Sequence, residues 1–329
     1  MVDKIVLGID GGATSTKAVL ATTQGAILGY GQGGPSCTDD VSSDSTRKNI
    51  RTAAKQAWAA YGQEARHADA AFFGIAGIVT EADCAFIEEI ATSVNLADPD
   101  FIGVDHDVRI ALAGGLALQP GIVLIAGTGS SCYGINAKGF ACRVGGWGYL
   151  LDDVGSSYYL GVEAMRAIVR SEDGRLGPTA LLEPLMSALG IDDIQEIITR
   201  LYFPRMRKIE IAGLAPLVLE IAQQGDEIAQ NIVRDGQNGL AHLIEIAAQR
   251  LGFLPNQVLV TTTGGVAHSG EYYKQGLYEA IRAQVPGVQI MEPALSPVIG
   301  AALLAIQSLG IEPSSDVISN FTQSELLSK

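Results

Sequence analysis

The chain has 329 residues, 47% of them hydrophobic and 39 of them glycine, which is enough apolar material for about two packed domains. A formal net charge of −14 argues against nucleic acid and anionic membranes as partners, since both require a basic surface. The four cysteines form no CxxC pair and no apolar run reaches the ~20 residues of a membrane span, so we expect a cytoplasmic protein with reduced thiols.

The first predicted element is a strand that ends in an acid. Residues 5–9 are apolar, Asp10 follows them, and residues 11–16 are small or carry hydroxyl groups. A turn without bulky side chains lets backbone N–H groups converge on an anion. The carboxylate at the strand tip can hold a hydrated Mg²⁺ against that anion. The pattern favours a nucleotide-phosphate site, and an ordinary hairpin with a Gly-rich turn is the alternative.

Strands and helices alternate around and after this turn. The pattern predicts a three-stranded meander over 4–32, a helix over 43–60, a buried strand over 70–77, a helix over 81–95 and a strand over 101–104. A further helix begins close to Asp107. Such alternation indicates an α/β fold.

Residues 121–146 repeat the plan of residues 4–34. A strand, a turn of glycine and hydroxyl residues and a second strand occur in both segments, and each closes on Gly-Gly. Gly127 takes the place of Asp10, so the second turn offers backbone donors and hydroxyls without a carboxylate. The repeat predicts two phosphate-binding turns with the metal beside the first, and two unrelated hairpins are the alternative.

The rest of the chain is predicted to be mostly helical. The expected elements are a helix over 155–171, helices between 180 and 251, a strand over 256–269, a strand, loop and helix over 288–310, and a short terminal helix. The strand over 256–269 ends in Thr-Thr-Gly-Gly. A Gly-Gly turn lets a flat ring or a ribose approach the backbone closely.

Five segments, in order along the chain, resemble the motifs of the actin–hexokinase–Hsp70 ATPase superfamily. They are GIDGGATSTK at 8–17, GIAG at 74–77, LIAGTGSS at 124–131, VTTTGGVAHS at 260–269 and SPVIGAALLA at 296–305. The GTGS motif followed by GGWGYLLDDVGSSYYLG at 145–161 is similar to the N-acetylglucosamine kinase and bacterial glucosamine kinase group. That group shares the BadF/BadG/BcrA/BcrD ATPase domain.

The resemblance implies an α/β fold of two ribonuclease-H-like domains, as in actin-like ATPases, with ATP and a sugar in the cleft between them. We expect a first domain over 1–118 and a larger second domain over 119–312 that carries the adenosine segment. The terminal helix over 313–329 is a candidate addition to the first domain. Members of the group often form homodimers, and these residues leave the oligomeric state of this chain open.

A sugar hydroxyl needs a base that takes its proton as it attacks the γ-phosphorus. Asp107 matches the position of the family's catalytic base, with Asp105 as the rival and an N-cap role as the alternative for Asp107. The resemblance also implies that Asp153 binds sugar hydroxyls, and the alternative is that it caps the helix that begins near Gly155.

The resemblance assigns the remaining contacts residue by residue. Asp10 would hold Mg²⁺ through water. Phosphate contacts fall on Gly11, Gly12, Ala13, Thr14, Thr16, Thr128 and Gly129, adenosine contacts on Gly264, Gly265 and Ala212, and sugar contacts on Thr38, Gly77, Asp107, Ser131, Gly146, Trp147 and Asp153.

The chain is therefore interpreted as an ATP- and Mg²⁺-dependent kinase of an amino-sugar hydroxyl, with N-acetylglucosamine or glucosamine as the acceptor. Departures from the animal N-acetylglucosamine kinases at Ala76, Ser131 and 35–38 leave N-acetylmuramate and glucose open. One alternative is an ATPase activator of the BadF/BadG type, for which the spacing of Cys132 and Cys142 is unsuited. Another is an ATP-binding regulator, whose winged helix and zinc motif do not occur in the sequence.

Overall fold

The structure, a computed structural model, describes residues 3–37, 41–78, 80–254 and 257–327. The chain divides into two compact units. Unit 1 consists of Met1–Val123 and Met291–Lys329, and unit 2 consists of Leu124–Ile290. Among the helices described, none combines the length and the hydropathy needed to cross a bilayer.

The described elements are ten strands and twelve α-helices. The strands are β1 (Ile5–Gly11), β2 (Thr16–Thr22), β3 (Ile27–Gly33), β4 (Ala70–Ile75), β5 (Ile102–His106), β6 (Gly121–Ala126), β7 (Ser130–Ile135), β8 (Ala141–Gly145), β9 (Val258–Thr263) and β10 (Val288–Met291). The helices are α1 (Ser43–Ala60), α2 (Glu81–Val94), α3 (Asp107–Gly115), α4 (Ser157–Glu172), α5 (Leu182–Leu189), α6 (Ile197–Tyr202), α7 (Lys208–Ala212), α8 (Ala215–Gln223), α9 (Glu227–Arg250), α10 (Glu271–Gln284), α11 (Pro297–Ser308) and α12 (Ser315–Leu327).

The sheet of unit 1 has the strand order β3-β2-β1-β4-β5. Antiparallel pairing joins β1, β2 and β3, whereas β1, β4 and β5 are parallel. Alternate residues of a strand point to opposite faces. Leu7 and Ile9 of β1 therefore pack with α1 and α2, and Val6 packs with α11 and α12. This packing buries β1 on both faces and leaves its carboxyl end at the edge where Asp10 lies.

Helix α11 belongs to unit 1, whereas the sequence-based boundary at residue 312 places it with the second domain. A Cβ on Gly8 of β1 would lie 2.5 Å from the carbonyl oxygen of Val298 in α11. A Cβ on Gly300 of α11 would lie 2.0 Å from the carbonyl oxygen of Ile110 in α3. Because glycine permits this close approach of backbones, α11 packs tightly on β1 and α3. The terminal helix α12 also lies in unit 1.

The sheet of unit 2 has the strand order β10-β9-β6-β7-β8. In both sheets the first strand of the unit is central, the next two strands along the chain lie on one side of it, and two later strands lie on the other. The repeat predicted from the sequence is thus present in the fold. Two α/β units of one plan are the predicted fold class, and the stretch from 182 to 250 is mostly helical as expected.

Candidate functional site

Asp10 lies at the carboxyl end of β1 beside a basic residue. The antiparallel pairing of β1 with β2 places Asp10 opposite Lys17, and the parallel pairing with β4 places it opposite Gly74. Residues in register share one face of a sheet, so the side chains of Asp10 and Lys17 are neighbours. Both line a cavity of about 470 Å³ in unit 1, whose wall also includes Tyr30 and Ser296.

The charge of Asp10 is controlled by burial and by two neighbours. Burial raises the pKa of Asp10 from 3.8 to about 6, Lys17 opposes this rise, and the negative charge of Asp107 adds to it. The registers of β1, β4 and β5 agree with this effect, because they bring Asp10 and the start of α3, where Asp107 lies, to the same edge of the sheet. Parallel strands present their carboxyl ends at one edge of the sheet, which explains why residues so distant in sequence converge.

Asp107 is the first residue of α3 and does not cap it. The N-cap is His106, whose Nδ1 accepts a hydrogen bond of 3.0 Å from the N–H of Arg109. The structure therefore excludes the N-cap alternative for Asp107. The rival acid Asp105 accepts a hydrogen bond of 2.8 Å from the N–H of His106 and lies 3.5 Å from its Nε2. The carboxylate of Asp105 is thus engaged with His106 at the start of α3.

The turn between β1 and β2 has an exposed tip and a buried base. Ala13 and Thr14 are exposed at the tip, whereas Gly11 and Thr16 are buried. The hydroxyl of Thr16 donates to the carbonyl oxygen of Gly34 at 2.7 Å and bonds Ser36 Oγ at 2.8 Å. This hydroxyl therefore ties the segment after β3 to the base of the turn. Only Gly12, Ala13 and Thr14 among the predicted phosphate contacts of this turn reach its surface.

The turn after β4 adjoins the turn after β1. The N–H of Ala76 donates to the carbonyl oxygen of Gly11 at 2.8 Å. Gly77 follows with a φ of 95°, a conformation that favours glycine. Gly77 is thereby placed at the same sheet edge as Asp10. The predicted sugar contact Thr38 lies outside the described residues.

In unit 2 the GTGS motif forms the turn between β6 and β7. The N–H of Gly127 donates to the carbonyl oxygen of Gly129 at 2.9 Å. From the start of α4, the N–H of Ser157 donates to the carbonyl oxygen of Gly127 at 2.8 Å and that of Tyr158 donates to Thr128 at 3.4 Å. The first N–H groups of a helix have no partner within it, so these bonds satisfy them and fasten the turn to α4.

Asp153 supports this turn from the segment before α4. Its Oδ1 accepts a hydrogen bond of 3.2 Å from the N–H of Ser130, and its Oδ2 lies 3.0 Å from Nζ of Lys208. Asp153 does not cap α4, because the N-cap is Ser156, whose side chain accepts from the N–H of Tyr159. Sequence reasoning missed Lys208, since it lies 55 residues from Asp153 and belongs to no motif.

A second group of predicted residues lies where β8 leaves the sheet. Ser131 is paired with Gly145, and its Oγ is buried without a hydrogen-bond partner among the described residues. A Cβ on Gly146 would lie 2.6 Å from that Oγ, and the guanidinium of Arg143 donates to the carbonyl oxygen of Gly146. Trp147 follows with 66% of its surface exposed. Ser131 and Gly146 are therefore adjacent in unit 2.

The Gly-Gly turn after β9 lies against the end of β6. Gly264 has a φ of 104°, and a Cβ on it would lie 2.4 Å from the carbonyl oxygen of Ala126. Gly265 is exposed and meets no atom within 4 Å of its Cβ position. The turn thus presents bare backbone beside Gly127. Ala212 lies in α7 and is 7% exposed, so its side chain belongs to the core.

Similarity to known proteins extends over nearly the whole chain. The profile of the BadF/BadG/BcrA/BcrD ATPase family matches residues 7–305, which span both units. The chain belongs to the BadF/BadG/BcrA/BcrD ATPase family. The matched stretch of this family member includes all five segments on which the resemblance rested, so that resemblance is confirmed.

Relatives of this BadF-family protein include two sugar kinases. The N-acetylmuramic acid/N-acetylglucosamine kinase of Clostridium acetobutylicum is 29% identical over 302 residues, which are 92% of this chain and 98% of the relative. The N-acetyl-D-glucosamine kinase of Dictyostelium discoideum is 30% identical over 320 residues, 94% of this chain and 99% of the relative. Among solved structures, a candidate N-acetylglucosamine kinase from Chromobacterium violaceum shares the fold, with a TM-score of 0.73, 24% identity and coverage of 92% of this chain and 99% of that one.

Proposed function

We propose that this protein is an ATP-dependent kinase that transfers the γ-phosphate of ATP to a hydroxyl of an amino sugar. The observation that carries the proposal is that the parallel pairing of β1, β4 and β5 places Asp10 and Asp107 at one edge of the unit 1 sheet. Kinases need one acid that holds the metal of the nucleotide and another that takes the proton of the acceptor. Family membership and the two kinase relatives support the same reaction.

In unit 1, Asp107 is assigned as the general base. It would take the proton of the sugar hydroxyl as that oxygen attacks the γ-phosphorus. The backbone of Gly12 and Ala13 and the hydroxyl of Thr14 would bind phosphate oxygens, since they are the accessible groups of the turn. Gly77 would border the acceptor beside Asp107.

In unit 2, backbone donors of the turn at Thr128 and Gly129 would bind phosphate oxygens. The bare backbone at Gly264 and Gly265 would face the adenosine, because a ring can approach it without a side chain in the way. Ser131, Gly146 and Trp147 would contact the sugar. The buried Oγ of Ser131 has no hydrogen-bond partner among the described residues, so it could bond a hydroxyl of the sugar.

The surroundings of Asp10 fit Mg²⁺. This ion keeps several waters and uses one or two carboxylates together with phosphate oxygens, so an acid that lines a cavity, as Asp10 does, is a suitable donor. Burial works against the charge of Asp10, and a bound cation would favour the ionised carboxylate. The metal, when bound, would neutralise charge on the phosphates during transfer.

N-Acetylated amino sugars are the acceptors that the relatives favour. Both kinase relatives are named for N-acetylglucosamine, and one is also named for N-acetylmuramic acid. We therefore place N-acetylglucosamine first, N-acetylmuramic acid second and glucosamine third. Neither relative is named for glucosamine or glucose, and glucose comes last because it is not an amino sugar.

An ATPase activator with an iron–sulfur cluster is the less favoured function. Such clusters are held by thiolates. Cys132 is fully buried in β7, and burial raises the pKa of its thiol. Burial also raises the pKa of Cys142, whose Sγ contacts the carbonyl oxygen of Ala247. Burial thus disfavours the thiolate form of both residues, which such a cluster would require.

The test of the proposed function is ADP release in a coupled assay with four acceptors, namely N-acetylglucosamine, N-acetylmuramic acid, glucosamine and glucose. Asp107→Asn should lower turnover by about 10²–10⁴-fold, since a positioned base contributes that much. Its affinity for Mg–ADP, measured by calorimetry, should not fall, because the base does not hold the nucleotide and its negative charge disfavours the ionised form of Asp10.

Asp105→Asn is the matched control, because Asp105 lies at the same strand end and its carboxylate contacts His106. Its turnover should stay within about tenfold of the unmodified protein. Equal activity of Asp107→Asn and the unmodified protein would remove Asp107 from the mechanism. A large loss confined to Asp105→Asn would transfer the role to that residue.

A further inference from the structure

Asp153 adopts a left-handed backbone conformation, which is uncommon for residues other than glycine although Asp tolerates it better than most. Its φ is 63°, in the left-handed region that L-residues with a side chain rarely occupy. Such conformations persist where the surrounding contacts require them. The contacts of the Asp153 side chain therefore explain why the backbone keeps this conformation.

Both carboxylate oxygens of Asp153 are engaged within unit 2. One accepts the N–H of Ser130 at 3.2 Å, and the other is paired with Nζ of Lys208 at 3.0 Å. The Asp153 side chain is 4% exposed, whereas that of Lys208 is 27% exposed. The acid is thus buried under the turn, and its counter-ion reaches from there towards the surface.

Gly129 lies directly over this ion pair. A Cβ at Gly129 would be 2.6 Å from Oδ2 of Asp153 and 3.0 Å from Nζ of Lys208. The carboxylate and the ammonium group therefore pack against the backbone of the turn itself. Lys208 Nζ also lies 5.4 Å from the ring centre of Tyr149, which gives the cation a second favourable contact.

An acid in this position conflicts with phosphate binding unless it is neutralised. A carboxylate a few ångströms from a phosphate repels it, and the repulsion is strong where water is excluded. Asp153 is nevertheless useful to the turn, because its bond to the N–H of Ser130 holds the turn in shape. A counter-ion beside the carboxylate allows both conditions to be met.

We propose that Lys208 is a positioning residue for nucleotide binding, which neutralises Asp153 so that this acid can shape the Thr128–Gly129 turn without repelling phosphate. The proposal rests on the assignment of that turn to the phosphates of ATP. The turn-shaping role of Asp153 differs from the sugar contact that the resemblance implies, because its side chain is 4% exposed and is engaged within unit 2.

The test measures Mg–ADP affinity by calorimetry on the full chain and compares three variants. Lys208→Met should weaken Mg–ADP binding by about tenfold or more, since it leaves an uncompensated charge beside the turn. Lys208→Arg keeps the charge and should bind nearly as well as the unmodified protein. The double variant Asp153→Asn/Lys208→Met removes both charges and should recover most of the lost affinity.

Lys138→Met is the matched control, because Lys138 is an exposed lysine of the same unit in the turn between β7 and β8. Its affinity for Mg–ADP should equal that of the unmodified protein. Thermal unfolding of each variant checks that unit 2 is folded. If Lys208→Met does not fold, the double variant and Lys208→Arg still decide the question, since weak binding by both in their folded form would overturn the proposal.

Steady-state kinetics separate the proposal from its rival. Lys208→Met should raise KM for ATP and leave KM for N-acetylglucosamine nearly unchanged. Unchanged Mg–ADP affinity together with a raised KM for the sugar would overturn the proposal in favour of a sugar contact at Asp153. If the unmodified protein itself fails to bind Mg–ADP, the proposed function is wrong, and that outcome is visible before any variant is compared.

Discussion

Replacement of Asp10 by Asn should make the ligand-free protein more stable while it abolishes the reaction. Burial raises the pKa of Asp10 to about 6, so the folded protein holds its proton over a pH range in which the unfolded chain releases it. Ionisation of Asp10 above that range therefore opposes folding. Asn has nearly the same shape as the protonated acid and carries no charge, so it avoids this cost.

The size of the effect follows from the two pKa values. Between 3.8 and about 6 the native state binds more protons than the unfolded state, so the free energy of unfolding falls as the pH rises. A pKa change of this size corresponds to about 3 kcal/mol at 1.36 kcal/mol per pH unit. The gain of Asp10→Asn over the unmodified protein should thus grow from near zero at pH 4 to about 3 kcal/mol at pH 7. Because the Asp10 side chain is only partly buried and lines the cavity, about 3 kcal/mol is an upper value for this gain in stability.

The assay is thermal unfolding in EDTA, without nucleotide, from pH 4 to pH 7.5. The chain has two tryptophans, and Trp58 is fully buried in unit 1 while Trp147 is in unit 2. A Trp147→Phe background therefore makes fluorescence report on unit 1. A gain of 3 kcal/mol in a unit of this size should raise Tm by roughly 6–12 °C at pH 7. Added Mg–ADP should stabilise the unmodified protein and have little effect on Asp10→Asn.

The control is Glu64→Gln, which removes a carboxylate that is exposed in the same unit. Its Tm difference from the unmodified protein should not change with pH. The reasoning on Asp10 is refuted if Asp10→Asn is less stable than the unmodified protein at pH 7, or if the difference between them is the same at pH 4 and pH 7. Either result would mean that the fold does not disfavour the ionised acid.

Two further variants test the packing of α11 and the role of Ser131. Gly8→Ala should destabilise the protein by about 1–3 kcal/mol, because the added Cβ would lie 2.5 Å from the backbone of α11. The control Gly177→Ala should be nearly neutral, because no atom lies within 4 Å of its Cβ position. An equal Tm for the two variants would contradict the packing argument. Ser131→Ala should keep or slightly raise Tm, because the buried Oγ has no hydrogen-bond partner among the described residues. The variant should raise KM for the sugar, since the proposed site uses that hydroxyl to bind the acceptor. An unchanged KM would remove Ser131 from the proposed site.

Sequence patterns were sufficient for the plan of each unit. Apolar runs separated by glycine turns predicted the strands, and the repeat of 4–34 at 121–146 predicted two units of one design, which the two sheet orders confirm. The motif around Asp10 is local, so its position at a strand end could be read directly. The sequence was also sufficient to place Asp107 near Asp10, because parallel strands end at a common edge of the sheet.

Other features depended on contacts between distant segments. The burial of Thr16 under the turn follows from its bonds to Gly34 and Ser36, and no local pattern separates it from the exposed Thr14. The place of α11 in unit 1 follows from backbone contacts at glycines. The apolar character of a helix shows that it is buried, but it does not show which sheet covers it.

By itself, the sequence determined the α/β class, the duplicated strand-turn-strand plan, the position of Asp10 at a strand end and the family to which the chain belongs. These properties follow from periodicity and short motifs, which act over a few residues. Only the tertiary structure decided that Lys208 pairs with Asp153 beneath the second turn. It also decided that burial raises the pKa of the Asp10 carboxyl group to about 6. Burial and charge at one atom depend on everything packed around it, and those neighbours come from segments far apart in the chain.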